Sequence, residues 1–152
     1  MATQRRTVLK KLLASFAGIT GLGLVAKAAE SDEHEVSNVV YDEEVPLFSS
    51  TVKHGKLVYV SGIGAHVAPF EIKAHTEIVL KEMEARLREA GTSMEKVLKV
   101  NVYLNDIADY KAMNEVFRGR FGKKPPVRTT VAVAKGGVPG DSLVEMDCIA
   151  RQ

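Results

Sequence analysis

Apolar and polar side chains alternate in two short runs between Phe48 and Gly62, and His54-Gly55-Lys56 separates the runs. A period of two is typical of strands that bury one face, and a glycine within a short polar stretch is typical of a turn. The pattern predicts a β-hairpin over these residues.

The spacing changes to steps of three and four between Glu71 and Ala90. The positions that recur on one side are Ile72, Thr76, Val79, Met83, Leu87 and Ala90, with charged residues between them. This spacing predicts an amphipathic helix. Gly91 follows directly, and glycine commonly ends a helix.

Alternation returns from Val97 to Leu104, which predicts a third strand. A second helix is expected after Asp106, whose carboxylate can cap its first turn, and Pro125-Pro126 stops it. The apolar side of this helix carries Tyr110, Met113, Phe117 and Phe121.

Two further strands are predicted at the end of the chain, Val127 to Ala134 and Ser142 to Ala150. The loop between them, KGGVPG at 135–140, lacks the helix start and the Lys-Ser/Thr ending of a phosphate-binding loop, so we expect a hairpin turn. The element order ββαβαββ predicts an α+β domain with both helices on one face of one sheet. The other face would be uncovered in a monomer, and we expect an oligomer that buries it.

The first 28 residues hold five basic residues and no acidic residue. An apolar stretch runs from Leu12 to Val25, and Ala26-Lys27-Ala28 after it has the small-x-small pattern of a signal peptidase site. The run QRRTVLK at 4–10 resembles the twin-arginine export motif. We therefore expect cleavage after Ala28 and a periplasmic or other extracytoplasmic location.

An uncleaved membrane anchor is the alternative interpretation of this segment. A spanning helix needs ~20 apolar residues, whereas this stretch has 14. We expect no stable membrane insertion once the signal is removed. The expected organisation is a signal peptide over residues 1–28, a flexible segment over 29–45 and one domain over 46–152.

Loss of the signal peptide changes the charge of the protein. Lys and Arg fall from 21 to 16 against 19 acidic residues, so the formal net charge moves from +2 to −3. A nucleic-acid partner requires a basic face that neutralises phosphates. We therefore expect no nucleic-acid partner.

Composition also bounds the chemistry. Cys148 is the only cysteine, so no intrachain disulfide can form, and its apolar strand position predicts a buried small side chain. The four histidines show no paired ligand spacing, so we expect no metal site.

Arg128 is the most informative residue of the closing strands. Val127, Thr129, Val131 and Val133 share one phase, so Arg128 and Thr130 share the other, which we expect to face away from the helices. Glu145 lies in the next strand, in the phase opposite its apolar residues. We expect these two strands to be adjacent, so Arg128 and Glu145 can converge, either as a cross-strand ion pair buried where subunits meet or as a functional site.

Five stretches of the chain together resemble the RidA (YjgF-like) family. They are VYVSG at 58–62, VNVYL at 100–104, MNEVF at 113–117, PVRTTVAV at 126–133 and EMDCIA at 145–150. The resemblance implies a chorismate-mutase-like α+β fold and a homotrimer with binding clefts between its subunits. It implies hydrolytic deamination of small 2-imino and 2-enamino acids without a metal or organic cofactor.

The resemblance also implies roles for individual residues. Arg128 would bind the substrate carboxylate, and Glu145 would position water. Ser61 and the groups around Thr130 would complete the pocket. The two remaining positions implied in substrate binding are Asn114, in the second-helix motif, and Phe48, where the family often has tyrosine.

Three functions follow from these residues. The first is the imine deaminase. The second is a non-catalytic binding module, or a holdase, which the replacement of tyrosine by Phe48 and the presence of Ile63 after Ser-Gly favour. The third, a ribonuclease activity attached to relatives, is disfavoured by the acidic mature chain.

Overall fold

The computed structural model describes residues 33–152, which form six strands and two helices. The strands are β1 (Glu35–Asp42), β2 (Val45–His54), β3 (Leu57–Gly64), β4 (Val97–Leu104), β5 (Val127–Ala132) and β6 (Val144–Arg151). The helices are α1 (Ile72–Glu89) and α2 (Tyr110–Phe117), and short 3₁₀ turns at Met94–Lys96 and Ile107–Asp109 precede β4 and α2. The predicted signal peptide, residues 1–28, lies outside the described residues.

The six strands form one mixed sheet in the order β1-β2-β3-β6-β4-β5. Only the β4–β5 pairing is parallel; the other neighbours in this sheet are antiparallel. The α+β fold and the β2–β3 hairpin are confirmed. The predicted hairpin between the last two strands is wrong, because β4 lies between β5 and β6.

The loop over residues 133–143 therefore crosses the end of β4. Val133 N donates a hydrogen bond to Leu104 O, and Asn105 N donates one to Leu143 O. These bonds hold the loop against the last residues of β4. β5 and β6 are not neighbours in the sheet, so a tight turn cannot join them, and the loop must span the width of β4.

The segment expected to be flexible, residues 29–45, contains strand β1, which pairs with β2 along its length. Alternation in β1 is obscured by Asn38, whose φ is 52°, and by a shift of register between Val40 and Tyr41. Such an irregular and largely exposed edge strand has no clear period in the sequence.

Both helices pack on one face of the sheet, as predicted. They are joined by an ion pair of 2.5 Å between Lys73 and Glu115, and Glu77 of α1 forms a second pair with Arg120, which follows α2. Helix α1 begins after Glu71 and ends at Glu89, close to the predicted bounds. Neither α1 nor α2 is long and apolar enough to cross a membrane.

The core lies between these helices and the sheet. It contains Val79, Leu80, Met83 and Leu87 of α1, Met113 of α2, and alternate residues of β3, β4 and β6. Cys148 is buried there, and burial raises the pKa of its thiol to about 12. Within residues 33–152 no helix covers the second face of the sheet, and we call it the open face.

Asp106 caps a different element from the one predicted. Its carboxylate accepts a hydrogen bond from Ala108 N and starts the 3₁₀ turn, and α2 follows that turn. The cap therefore acts on α2 only through the intervening turn.

Candidate functional site

Arg128 lies on the helix-bearing face of β5. Its partner in the register is Val100 of β4, which is fully buried in the core, and partners in a sheet share a face. The expectation that Arg128 points away from the helices is wrong. β5 is an edge strand, and there the exposed valines Val127 and Val131 face the open side instead.

The Arg128 guanidinium packs on aromatic rings of α2. Its Cζ atom lies 4.6 Å from the Phe117 ring centroid, and Nη2 donates a hydrogen bond of 3.3 Å to the Tyr110 hydroxyl. Stacking of this kind is worth about 0.5–2 kcal/mol. Among residues 33–152 no carboxylate forms an ion pair with Arg128. Most of its donors therefore remain available to an anion.

The Arg128–Glu145 ion pair considered from the sequence is not formed. The two residues face opposite sides of the sheet, and β4 separates their strands. Their Cα atoms are about 10 Å apart across the sheet and about 10 Å apart along it, from standard strand spacings.

Thr130 and Asn114 lie on the same side as Arg128. Thr130 pairs with the buried Val102, and its Oγ1 atom is buried with no hydrogen-bond partner in the described part of the chain. Asn114 follows Tyr110 by four residues, which places it on the α2 face that carries the Arg128 contacts. We call Arg128, Thr130, Asn114, Tyr110 and Phe117 the Arg128 cluster.

Glu145 lies on the open face. Its neighbours in the register are Tyr103 of β4 and Gly64 of β3. The Glu145 carboxylate extends over Gly62, where a Cβ atom would overlap Oε1. The absence of a side chain at Gly62 thus makes space for this carboxylate.

Tyr103 and Asn101 hold a second carboxylate beside Glu145. The Tyr103 hydroxyl donates to Asp147 Oδ2 at 3.0 Å, and Asn101 Nδ2 donates to Asp147 Oδ1 at 2.9 Å. Burial, the hydrogen bond to Asp147 and the charges of Asp147 and Glu145 all raise the pKa of Tyr103. The phenol therefore remains a protonated donor at neutral pH.

A cavity of about 140 Å³ lies against these residues on the open face. It is lined by Tyr103, Val133, Gly137, Val138 and Glu145, so the 133–143 loop forms one wall. A cavity of about 150 Å³ accommodates benzene. This one is accordingly large enough for a molecule of about six non-hydrogen atoms. We call Glu145, Tyr103, Asp147 and this cavity the Glu145 site.

Ser61 and Phe48 belong to neither group. Ser61 lies where the β3 register shifts, and its hydroxyl accepts a hydrogen bond of 3.3 Å from Arg86 Nη1 of α1. The Phe48 ring is half-exposed on β2, and β3 separates β2 from β6. One subunit thus brings Arg128, Thr130 and Asn114 together, and places Glu145, Ser61 and Phe48 elsewhere.

Tyr103 was not singled out from the sequence, although it borders the cavity and donates to Asp147. Its signal was its position in β4, where it alternates with the buried Val102 and Leu104. That alternation places Tyr103 on the face opposite the core. It does not reveal that Glu145 lies beside Tyr103, because this depends on the order of the strands in the sheet.

The sequence model of the endoribonuclease L-PSP family matches residues 43–152. That match covers β2 to β6 and both helices, and β1 precedes it.

Two relatives and one solved structure illustrate the similarity. Reactive Intermediate Deaminase A of Arabidopsis thaliana is 30% identical over 90% of this chain and 81% of its own length. A 2-iminobutanoate/2-iminopropanoate deaminase of Dermatophagoides farinae is 30% identical over 78% of this chain and 96% of its own. The crystal structure of E. coli TdcF with bound serine superposes with a TM-score of 0.65 at 25% identity, covering 71% of this chain and 90% of that chain.

Proposed function

The chain belongs to the endoribonuclease L-PSP (RidA) family, and from this premise we propose that it hydrolyses small 2-imino and 2-enamino acids to 2-keto acids and ammonia. Relatives named as deaminases support the reaction class. The serine bound to TdcF supports a small ligand that carries a carboxylate.

The state of the Arg128 guanidinium is the observation that supports the proposal most directly. A guanidinium can hold a planar carboxylate through two parallel hydrogen bonds, and this one has no acidic partner in residues 33–152. Thr130 Oγ1, on the same face of β5, also has no hydrogen-bond partner in these residues. A buried hydroxyl in this state costs about 1–3 kcal/mol, which a polar ligand would offset.

The Glu145 site supplies the hydrolytic half of the reaction. Glu145 accepts a proton from water as the water oxygen bonds to the C=N carbon, which gives a carbinolamine. Glu145 then returns this proton to the nitrogen, the C–N bond breaks as the carbinolamine hydroxyl loses its proton, ammonia leaves and the keto acid remains. 2-Iminopropanoate matches the capacity of the cavity, about six non-hydrogen atoms.

The two halves meet in a cleft between subunits of a homotrimer. Within one subunit Arg128 and Glu145 lie on opposite faces of the sheet. Arg128 is on an edge strand, however, so its long side chain can reach past the free edge of β5. A subunit packed on the open face would close the cavity and exclude bulk water from it, leaving room for the attacking water.

Kinetics of Arg128 variants test the proposal. With freshly generated 2-iminopropanoate, Arg128→Lys and Arg128→Ala should both lose at least ~10²-fold in kcat/KM, or about 2.7 kcal/mol, because a lysine lacks the planar fork. Melting temperature and assembly mass should be unchanged.

Arg88→Ala is the matched control, since Arg88 is exposed on α1 and its ion pair within residues 33–152 is with Glu84, four residues away. A stable Arg128→Ala protein with wild-type turnover would contradict the proposal. Carboxylate binding by the wild-type protein without ammonia release would favour the non-catalytic binding module.

We also propose that the protein is exported by the twin-arginine route and acts outside the cytoplasm. The proposal rests on Arg5-Arg6, the apolar stretch after it and Ala26-Lys27-Ala28. The mature N-terminus should be Ala29 in the extracytoplasmic fraction, and replacement of both arginines by lysine should retain the full chain in the cytosol. A protein that begins at Met1 in the wild-type cytosol would refute export.

A further inference from the structure

Two glycines of β3 leave space on the open face for two titratable side chains. The Glu145 carboxylate lies where the side chain of Gly62 would be, and the His66 ring lies in tight contact with the place of a Gly64 Cβ atom. A Cβ atom on Gly64 would be 3.1 Å from His66 Nε2. Alternate residues of a strand are about 7 Å apart. The imidazole and the carboxylate thus lie over two neighbouring positions of β3 on this face.

A hydrogen bond orients the His66 ring. Its Nδ1 atom lies 2.9 Å from Gly140 O, and a carbonyl oxygen only accepts, so Nδ1 must carry the proton. In the neutral imidazole Nε2 is then an acceptor. Gly140 belongs to the same loop as Val133, Gly137 and Val138, which line the cavity beside Glu145.

We propose that His66 is a second proton-transfer residue of the Glu145 site, a role that rests on the proposed deaminase function. Glu145 takes the proton of the attacking water, and His66 Nε2 takes the hydroxyl proton of the carbinolamine. Two observations support this assignment. Glu145 and His66 lie over Gly62 and Gly64 of the same strand, and the hydrogen bond to Gly140 O sets the tautomer of His66.

The protons balance for an iminium substrate. Water adds to the C=N carbon, the π electrons pass to nitrogen, and Glu145 accepts one proton, which gives the neutral carbinolamine. Glu145 then returns this proton to the amino nitrogen as the C–N bond breaks. His66 Nε2 removes the hydroxyl proton as the C=O bond forms, so the products are the keto acid, ammonia and one proton on His66.

Asparagine and alanine at position 66 separate proton transfer from loop support. The amide of His66→Asn can still donate to Gly140 O, but no base remains at the place of Nε2. We expect kcat to fall about 10²-fold, with KM and melting temperature unchanged. In His66→Ala, added imidazole should restore kcat in a concentration-dependent way. The restored rate should exceed the rate that the same imidazole concentration gives without enzyme.

His54→Asn is the control, because His54 is an exposed residue at the end of β2. Wild-type kcat in His66→Asn, or failure of imidazole to rescue a stably folded His66→Ala protein, would overturn the role of His66 and leave the deaminase function standing. A wild-type mature chain that releases no ammonia would overturn the deaminase function itself, and the role of His66 with it.

Discussion

At the residue scale, Gly62 shows how an absent side chain can shape a site. The Glu145 carboxylate occupies the space that any side chain at position 62 would need. The backbone at Gly62 needs no positive φ, so close approach alone accounts for glycine here. The carboxylate position thus depends on a residue of another strand.

Gly62→Ala should displace the Glu145 carboxylate without unfolding the protein. The contact involves the flexible end of Glu145 rather than backbone, so the free energy of unfolding should change by less than about 1 kcal/mol. A catalytic group moved by about 1 Å can cost 10²-fold, and we expect a loss of about that size in kcat/KM. Steady-state kinetics would measure the loss in kcat/KM, and urea denaturation would measure the free energy of unfolding. A wild-type kcat/KM in Gly62→Ala would show that the position of Glu145 is unimportant.

Cys148 gives a prediction for alkaline pH. Its pKa is raised from 9.0 to about 12, so the native state favours the neutral thiol more than the unfolded state does. The resulting stability is fully present below pH 9 and is lost as pH rises from about 9 to 12. Urea denaturation from pH 8 to 11 should show this loss for the wild-type protein and a smaller one for Cys148→Ala.

At the element scale, three segments meet at a buried histidine of α1. His75 is fully buried, its Nε2 donates to Val67 O at 3.1 Å, and its Nδ1 accepts from Leu143 N at 3.1 Å. It therefore joins the loop after β3 to the loop before β6. Ser142 supports the same junction, because its hydroxyl accepts from Ala65 N and donates to Val144 O.

His75→Leu should destabilise this junction. The change leaves two part-buried backbone groups without their side-chain partner, at about 1–3 kcal/mol each, so the free energy of unfolding should fall by about 2–6 kcal/mol. The exposed His54→Leu substitution provides the comparison. Equal urea midpoints for the two variants would show that the His75 hydrogen bonds contribute nothing to stability.

At the scale of the whole molecule, the open face carries apolar side chains that a monomer leaves in water. Tyr59, Val127 and Val131 are 39%, 70% and 44% exposed. Surfaces of this kind commonly mark an interface. The Glu145 site lies on the same face, so assembly and activity should depend on each other.

The mature chain should sediment at about three times its monomer mass, as the family resemblance implies. Charges at Val127→Lys and Val131→Lys would be buried without partners, so the doubly substituted protein should dissociate and lose activity. Ile107→Lys, on the 3₁₀ turn before α2, should retain the mass. A wild-type monomer at micromolar concentration would remove the proposed cleft and the enzyme with it.

Local periodicity was sufficient to predict α1, the β2–β3 hairpin, β4 and the phase of Arg128 with Thr130. These features depend on near neighbours along the chain, whose spacing determines which side chains share a face. The resemblance to one family likewise came from short runs of adjacent residues, and the family model confirms it.

Only the tertiary structure decided which face each residue occupies and what it meets there. Alternation places Arg128 and Val127 on opposite faces of β5. Because β5 is an edge strand, alternation alone does not show which of the two residues faces the helices. Strand order settles this: β4 lies between β5 and β6, so Arg128 packs on Phe117 while Glu145 lies beside Tyr103 on the other face. The reason is that pairing joins residues far apart in sequence, and the free energy that selects a pairing comes from packing of the whole core.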